Sequence, residues 1–231
     1  MSKGRKLPLS NLAWSGVCLM LLVPAGAPAQ VSTLFADDAP LELRIELPLR
    51  TIVATRDEPA YQPARMEVAV PGGAPIGLDL RVRSRGKSRA AACEFPPLLL
   101  NFERRQPEGS PFTGENRLKL VTHCLPNVGH EQQVRLELQI YLALNLLTDA
   151  SLRTRPLRVT YVDTDRGREI KDRIGFLIED EDRFAERLGF TTVSAERVET
   201  ASYAPDAFAL LDVFQYFIGN TDWSALGGPA G

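Results

Sequence analysis

The sequence predicts an α+β fold, an antiparallel sheet with one helix packed on it, followed by further helices. Three observations carry this. Apolar and polar residues alternate over 41–53, 66–70 and 78–82, separated by turn signals such as Pro71-Gly72-Gly73. Residues 130–147 form one long stretch rich in Leu, Gln and Glu, as a helix requires. The strand-like segments then give way, towards the C-terminus, to helix-like ones.

Taken in chain order, the first element is not part of the fold. The basic start Met1-Ser-Lys3-Gly-Arg5-Lys6 precedes an uncharged apolar run over 12–23 and the small-x-small pattern of Ala27-Pro28-Ala29. These three regions in this order predict a cleavable secretory signal over 1–29, and with it a periplasmic or extracellular protein. The apolar run is shorter than the roughly 20 residues that cross a bilayer, and no later stretch reaches that length. The whole chain carries 27 Lys plus Arg and 29 Asp plus Glu. The signal holds three of those cations and no acid, so the exported chain carries 24 against 29. Such an acidic balance argues against nucleic acid as a partner.

Export also bears on the cysteines. Cys18 leaves with the signal, and the remaining pair, Cys93 and Cys124, suggests a bridge. The segments 97–102 (PLLLNF) and 117–123 (RLKLVTH) read as strands joined by a polar, Gly- and Pro-containing stretch. Paired antiparallel, they bring the two cysteines together. Two further strands, 157–163 (LRVTYVD) and 174–179 (IGFLIE), flank the turn Asp165-Arg166-Gly167. A short charged helix over 182–188 and an apolar one over 205–218 complete the order.

Candidate chemistry begins with Glu137. At about 100° per residue it shares the apolar side of its helix with Val134, Ile140, Tyr141 and Leu144, while Gln132, Arg135 and Gln139 lie opposite. A carboxylate so placed needs a cation or hydrogen bonds, whether as a structural ion pair or as part of a site. Lys119 is one available partner, on the strand before this helix and on the face opposite Leu118 and Leu120. Arg81, Arg83, Arg85, Lys87 and Arg89 place five cations at alternate positions. If the strand continues through them, they share one face, which either binds phosphate or another anion or forms a solvated edge. The run Glu179-Asp180-Glu181-Asp182 suits a helix start better than a metal site, and His123, Cys124 and His130 lack a zinc spacing.

Read together, several segments resemble the spore-coat-protein-H-like kinase family. They are residues 83–89 (RSRGKSR), 93–97 (CEFPP), 118–124 (LKLVTHC), the helix carrying Glu137, 158–163 (RVTYVD), 175–180 (GFLIED) and 218–223 (IGNTDW), in that order across about 145 residues. The resemblance implies a kinase-like N-lobe over 30–180 and the start of a helical C-lobe over 181–224, while the featureless residues 225–231 read as a disordered tail. It implies that Arg83, Arg85, Lys87 and Arg89 lie near the nucleotide phosphates, that Lys119 pairs with Glu137, and that Asp222 is the catalytic aspartate. ATP and Mg²⁺ would be the cofactors, and a protein or small molecule the phosphate acceptor. Kinase-like catalysis also needs a metal-binding Asn or Asp beyond the catalytic loop, and only nine residues follow Asp222. The expectation is therefore an exported protein resembling an atypical kinase, inactive or incomplete as this chain. The alternative is a non-catalytic envelope binding or scaffold module with a basic anion-binding stripe.

Overall fold

A computed structural model describes residues 33–86, 88–102, 106–193, 202–221 and 223. The segment 1–29 expected to be a signal, Lys87, Asp222 and the tail from 224 lie outside the described residues. Seven strands form the body: β1 (Leu41–Leu47), β2 (Gln62–Val68), β3 (Ile76–Ser84), β4 (Leu98–Asn101), β5 (Arg117–Val121), β6 (Thr154–Asp163) and β7 (Arg168–Ile178). Among the described residues five helices accompany them: α1 (Leu49–Ala54), α2 (Ser88–Ala92), α3 (Val128–Leu147), α4 (Glu181–Arg187) and α5 (Pro205–Phe217).

The strands close into a barrel in the order β1-β2-β3-β4-β5-β7-β6, which corrects the expected architecture. In place of the open antiparallel sheet with a packed helix of a kinase-like N-lobe, β6 returns to β1 and pairs with it in parallel, Leu43 opposite Val159 and Ile45 opposite Tyr161. Every other neighbouring pair is antiparallel. Closure follows from what the strands offer. Alternate residues of each strand are apolar, and a closed sheet buries all of them at once while leaving no unpaired edge. Leu43, Ile45 and Leu47 meet Met66, Val68, Leu80, Leu100, Leu118, Leu120, Val159 and Tyr161 in one interior cluster.

Two local signals were read too simply. The alternation over 41–53 is not one strand, because Pro48 ends β1 and starts α1, whose Leu49 and Ile52 turn back into the core. Asp165 Oδ2 accepts from the Thr51 amide at 2.8 Å and so ties the first turn of α1 to the β6–β7 turn. The basic stripe is also broken. Gly86 has φ +79°, which turns the chain out of β3 and into α2, so Arg89 leaves the face that Arg81, Arg83 and Arg85 occupy.

Helix α3 matches its expected span to within two residues at its start, where the Asn127 side chain accepts from the His130 amide. It packs on the outside of the barrel through Val134, which joins Val121, Phe176 and Ile178 in a second apolar cluster with Leu138 and Tyr141 beside it. The last residues of β7 are therefore buried on both faces. Space there is short: a Cβ on Gly175 would stand 2.7 Å from the Val121 carbonyl oxygen, too close for any side chain without moving backbone.

Cys93 and Cys124 form the expected disulfide. It joins the end of α2 to the end of β5, beside a bridge in which the Phe95 amide donates to the Cys124 carbonyl at 2.9 Å. Next to it, His123 is 3% exposed and packs, tilted, against the contacting pair Phe95 and Tyr161, at ring-centre distances of 4.9 and 6.0 Å. Burial, helped by the nearby Arg173 cation and opposed by Glu131, lowers its pKa to about 4. The sign follows directly. The unfolded chain binds this proton near pH 6.5 and the folded chain only near 4, so stability is complete above 6.5 and is lost as pH falls towards 4. The loss amounts to about 3 kcal/mol. Urea titrations at pH 4 and 7 should show it, and His123→Gln should flatten the slope; an unchanged slope would place its origin elsewhere.

Candidate functional site

The outer wall of the barrel across β3, β4 and β5 gathers most of the candidate residues. The ladder sets Arg83 opposite Leu99, Leu99 opposite Lys119, and Lys119 opposite Ile178, so all four share the outer face. One step along, Arg81, Asn101 and Arg117 form the parallel row. The guanidinium groups of Arg81 and Arg83 lie 5.3 and 5.2 Å from the centre of the Tyr61 ring, which presents a negative face to both cations. Arg85 follows at the end of β3, its amide donating to the Pro97 carbonyl at 2.9 Å.

Arg85 sits where the wall meets α3. Burial is the main cause of its lowered pKa; Tyr141 and Glu137 act against it, and Arg89 and Arg83 act with it. None of the ion pairs among the described residues involves Arg85 or Arg83. Lys119 is likewise depressed, first by burial and then by Arg85, with Asp180 opposing and Arg117 adding to the repulsion. Its ammonium nevertheless pairs with Glu181, and that contact favours the charged form.

The structure therefore divides the expected lysine–glutamate pair. Lys119 reaches Glu181 at the start of α4, while Glu137 accepts from Arg89 Nη1 at 2.8 Å. The reason is topological: bending at Gly86 carries Arg89 onto α2, next to α3, so the nearer cation takes the glutamate. Together with Cys93, Thr122 and Ile140, this pair lines a cleft of about 530 Å³ between α2 and α3. The acidic run serves α4. Asp180 caps it by accepting from the Asp182 amide at 3.1 Å, and Asp180 also reaches Arg117 at 3.4 Å. Lys87 and Asp222 fall outside the described residues, so Asp222 is not placed relative to this wall.

Sequence reasoning missed Tyr61, which orients two of the arginines. It precedes β2 and comes beside Arg83 only through the β2–β3 ladder, where Gln62 opposes Val82. Its one local sign was an aromatic residue in a Pro- and charge-rich turn, a pattern with many other uses. Chemically, the wall is a donor surface: planar guanidinium forks suited to phosphate or carboxylate, one ammonium, and an apolar patch at Leu99 between them. Among the described residues, no group of three or more His, Cys, Asp or Glu side chains converges as a metal site. Comparison with protein-family models, curated proteins and solved structures yields no match to this chain.

Proposed function

We propose that this chain is an exported, non-catalytic binding module of the cell envelope, and that its outer barrel wall holds a phosphate-bearing anion on Arg83, Arg85 and Lys119. The observation that carries the reading is Arg85: half-buried, depressed by burial, with like charges at Arg83 and Arg89 and no ion pair of its own among the described residues. Partly desolvated cations that repel one another are stabilised by an incoming anion, which supplies the charge and acceptors the protein does not. Export is supported by the three-part N-terminus and by the Cys93–Cys124 bridge.

A second reading keeps phosphate transfer. Arg83, Arg85 and Lys119 are residues that the kinase resemblance sets near nucleotide phosphates, and they do share one wall. These residues suit a polyphosphate better than a protein-held metal, so Mg²⁺ would enter already bound to the phosphates of ATP. Among the described residues, no helix is long and apolar enough to cross a membrane.

Calorimetry on the exported chain separates the two. Inorganic tripolyphosphate and Mg-ATP should both bind, and Arg85→Gln with Lys119→Gln should weaken both about tenfold or more. Transfer of phosphate to an acceptor, abolished in Asp222→Asn, would establish the second reading. Absence of binding, or binding indifferent to the double variant, would overturn the site.

A further inference from the structure

At one mouth of the barrel lies a cleft of about 820 Å³, separate from the wall just described. It opens where β1, β5 and β6 end and β7 begins, between α1, the segment 91–95 and the β6–β7 turn. Six cations line it: Arg50, Arg56, Arg166, Arg168, Lys171 and Arg173. Only two acids, Glu94 and Glu169, stand among them. In a chain of slight acidic excess, this is a pronounced local surplus of positive charge.

The cations play two different parts. Arg56 donates to the carbonyls of Ala90 and Ala91 at 3.2 and 3.1 Å, Arg173 pairs with Glu131 at 2.9 Å, and Lys171 pairs with Glu169 at 3.2 Å. Arg166 pairs with Asp163 at 4.0 Å, and these four are held by the protein. Arg50 on α1 and Arg168 at the start of β7 take part in none of the ion pairs among the described residues, and both are exposed. They approach the cleft from different elements, one on α1 and one just past the β6–β7 turn. Two unpaired polar atoms lie beneath the cleft. His123 Nδ1 and Arg173 Nε are buried without a hydrogen-bond partner. Burial keeps His123 neutral above about pH 4, so its ring brings hydrogen-bonding capacity and no seventh charge.

We infer that this mouth is a binding site for a compact, multiply phosphorylated small molecule, gripped by Arg50 and Arg168 and seated over the His123 floor. Five of the six cations are arginines, whose forks match phosphate oxygens in pairs. Several phosphates on one compact ligand let guanidinium groups that come from separate elements each take their own pair of oxygens. The volume lies within the range of small-molecule sites. A carboxylate ligand would meet the same forks, but with two oxygens per group against three.

The test uses myo-inositol hexakisphosphate as probe, with calorimetry on the exported chain at roughly 0.1 M salt, where exposed charges further than about 10 Å apart are screened. One mouth site is expected. The titration is run in a background of Arg85→Gln with Lys119→Gln, which empties the proposed wall site, and there Arg50→Glu with Arg168→Glu should weaken binding at the mouth about tenfold or more. Both mouth arginines are exposed and outside the ion pairs, so the thermal midpoint should not move; should the reversal unfold the chain, Arg50→Ala with Arg168→Ala must show the same loss. Absence of binding overturns the inference, as does binding that survives the mouth variants. Loss of all binding in the wall background alone would assign the probe to the wall and leave the mouth without a ligand.

Discussion

Arg187→Ala is expected to destabilise the protein by about 3–5 kcal/mol, because it leaves a buried carboxylate without its cation. Glu179, at the end of β7, is 5% exposed. Arg187, in the last turn of α4, grips it with both arms of its fork: Nε to Oε1 at 2.9 Å and Nη2 to Oε2 at 2.9 Å. The same guanidinium donates to the carbonyls of Asp149 and Ser151, and the Arg153 amide completes the set by donating to Glu179 Oε2 at 3.0 Å. The hydrogen bonds to Glu179 are the leading cause of the raised Arg187 pKa. One side chain thus ties α4, the end of β7 and the turn before β6 together. Urea unfolding measures the loss, and a chain of this length should lose about 2–4 °C in melting temperature per kcal/mol. Arg187→Met with Glu179→Leu should recover most of the stability, because it removes both charges together. A loss below about 1 kcal/mol for the single variant would mean that water reaches Glu179 freely.

Removing the Cys93–Cys124 bridge should cost about 3–4 kcal/mol through the loop it closes. The two cysteines are 31 residues apart, and the loop between them holds β4 and β5, so the reduced unfolded chain gains much freedom. The effect has a local side as well. Cys93 and Cys124 line both the cleft between α2 and α3 and the cleft at the barrel mouth, so the bridge is common to the two walls. Cys93→Ser with Cys124→Ser should therefore lower the urea midpoint and loosen the Arg89–Glu137 pair. The measurement is urea unfolding of the wild type with and without reductant beside the double variant: wild type with reductant should match the variant. Equal midpoints in all three would show that the native contacts of Phe95 hold this region without the bridge.

How much of this was legible in the sequence depends on the range of the interaction. The hairpin of β4 and β5 was readable, because two strand-like runs, one polar connection and two cysteines at their outer ends all lie within some thirty residues. Helix α3 was readable from composition and length, and Glu137 was rightly marked as needing a partner. Its partner was not readable. Lys119 was the nearer candidate along the expected strand, and only the positive φ at Gly86 brings Arg89 to the glutamate. Glycine marks where such a turn is permitted, not where one is made.

The closure of the barrel lay further out of reach. Leu43 and Val159 are paired across more than a hundred residues, and a parallel ladder needs no turn between its strands that a reader can recognise. An open sheet and a closed one share the same alternation, since each strand turns one face inward in both. What the sequence by itself determined was therefore local: most of the segments that extend or coil, the two cysteines beyond residue 29 as a pair able to bridge, and where cations recur at alternate positions. What only the tertiary structure decided was which of those charges meet. Its physical reason is that closing the sheet sets the residues at each barrel mouth by strand register, so Arg50, His123 and Arg168 come to one cleft from three distant parts of the chain.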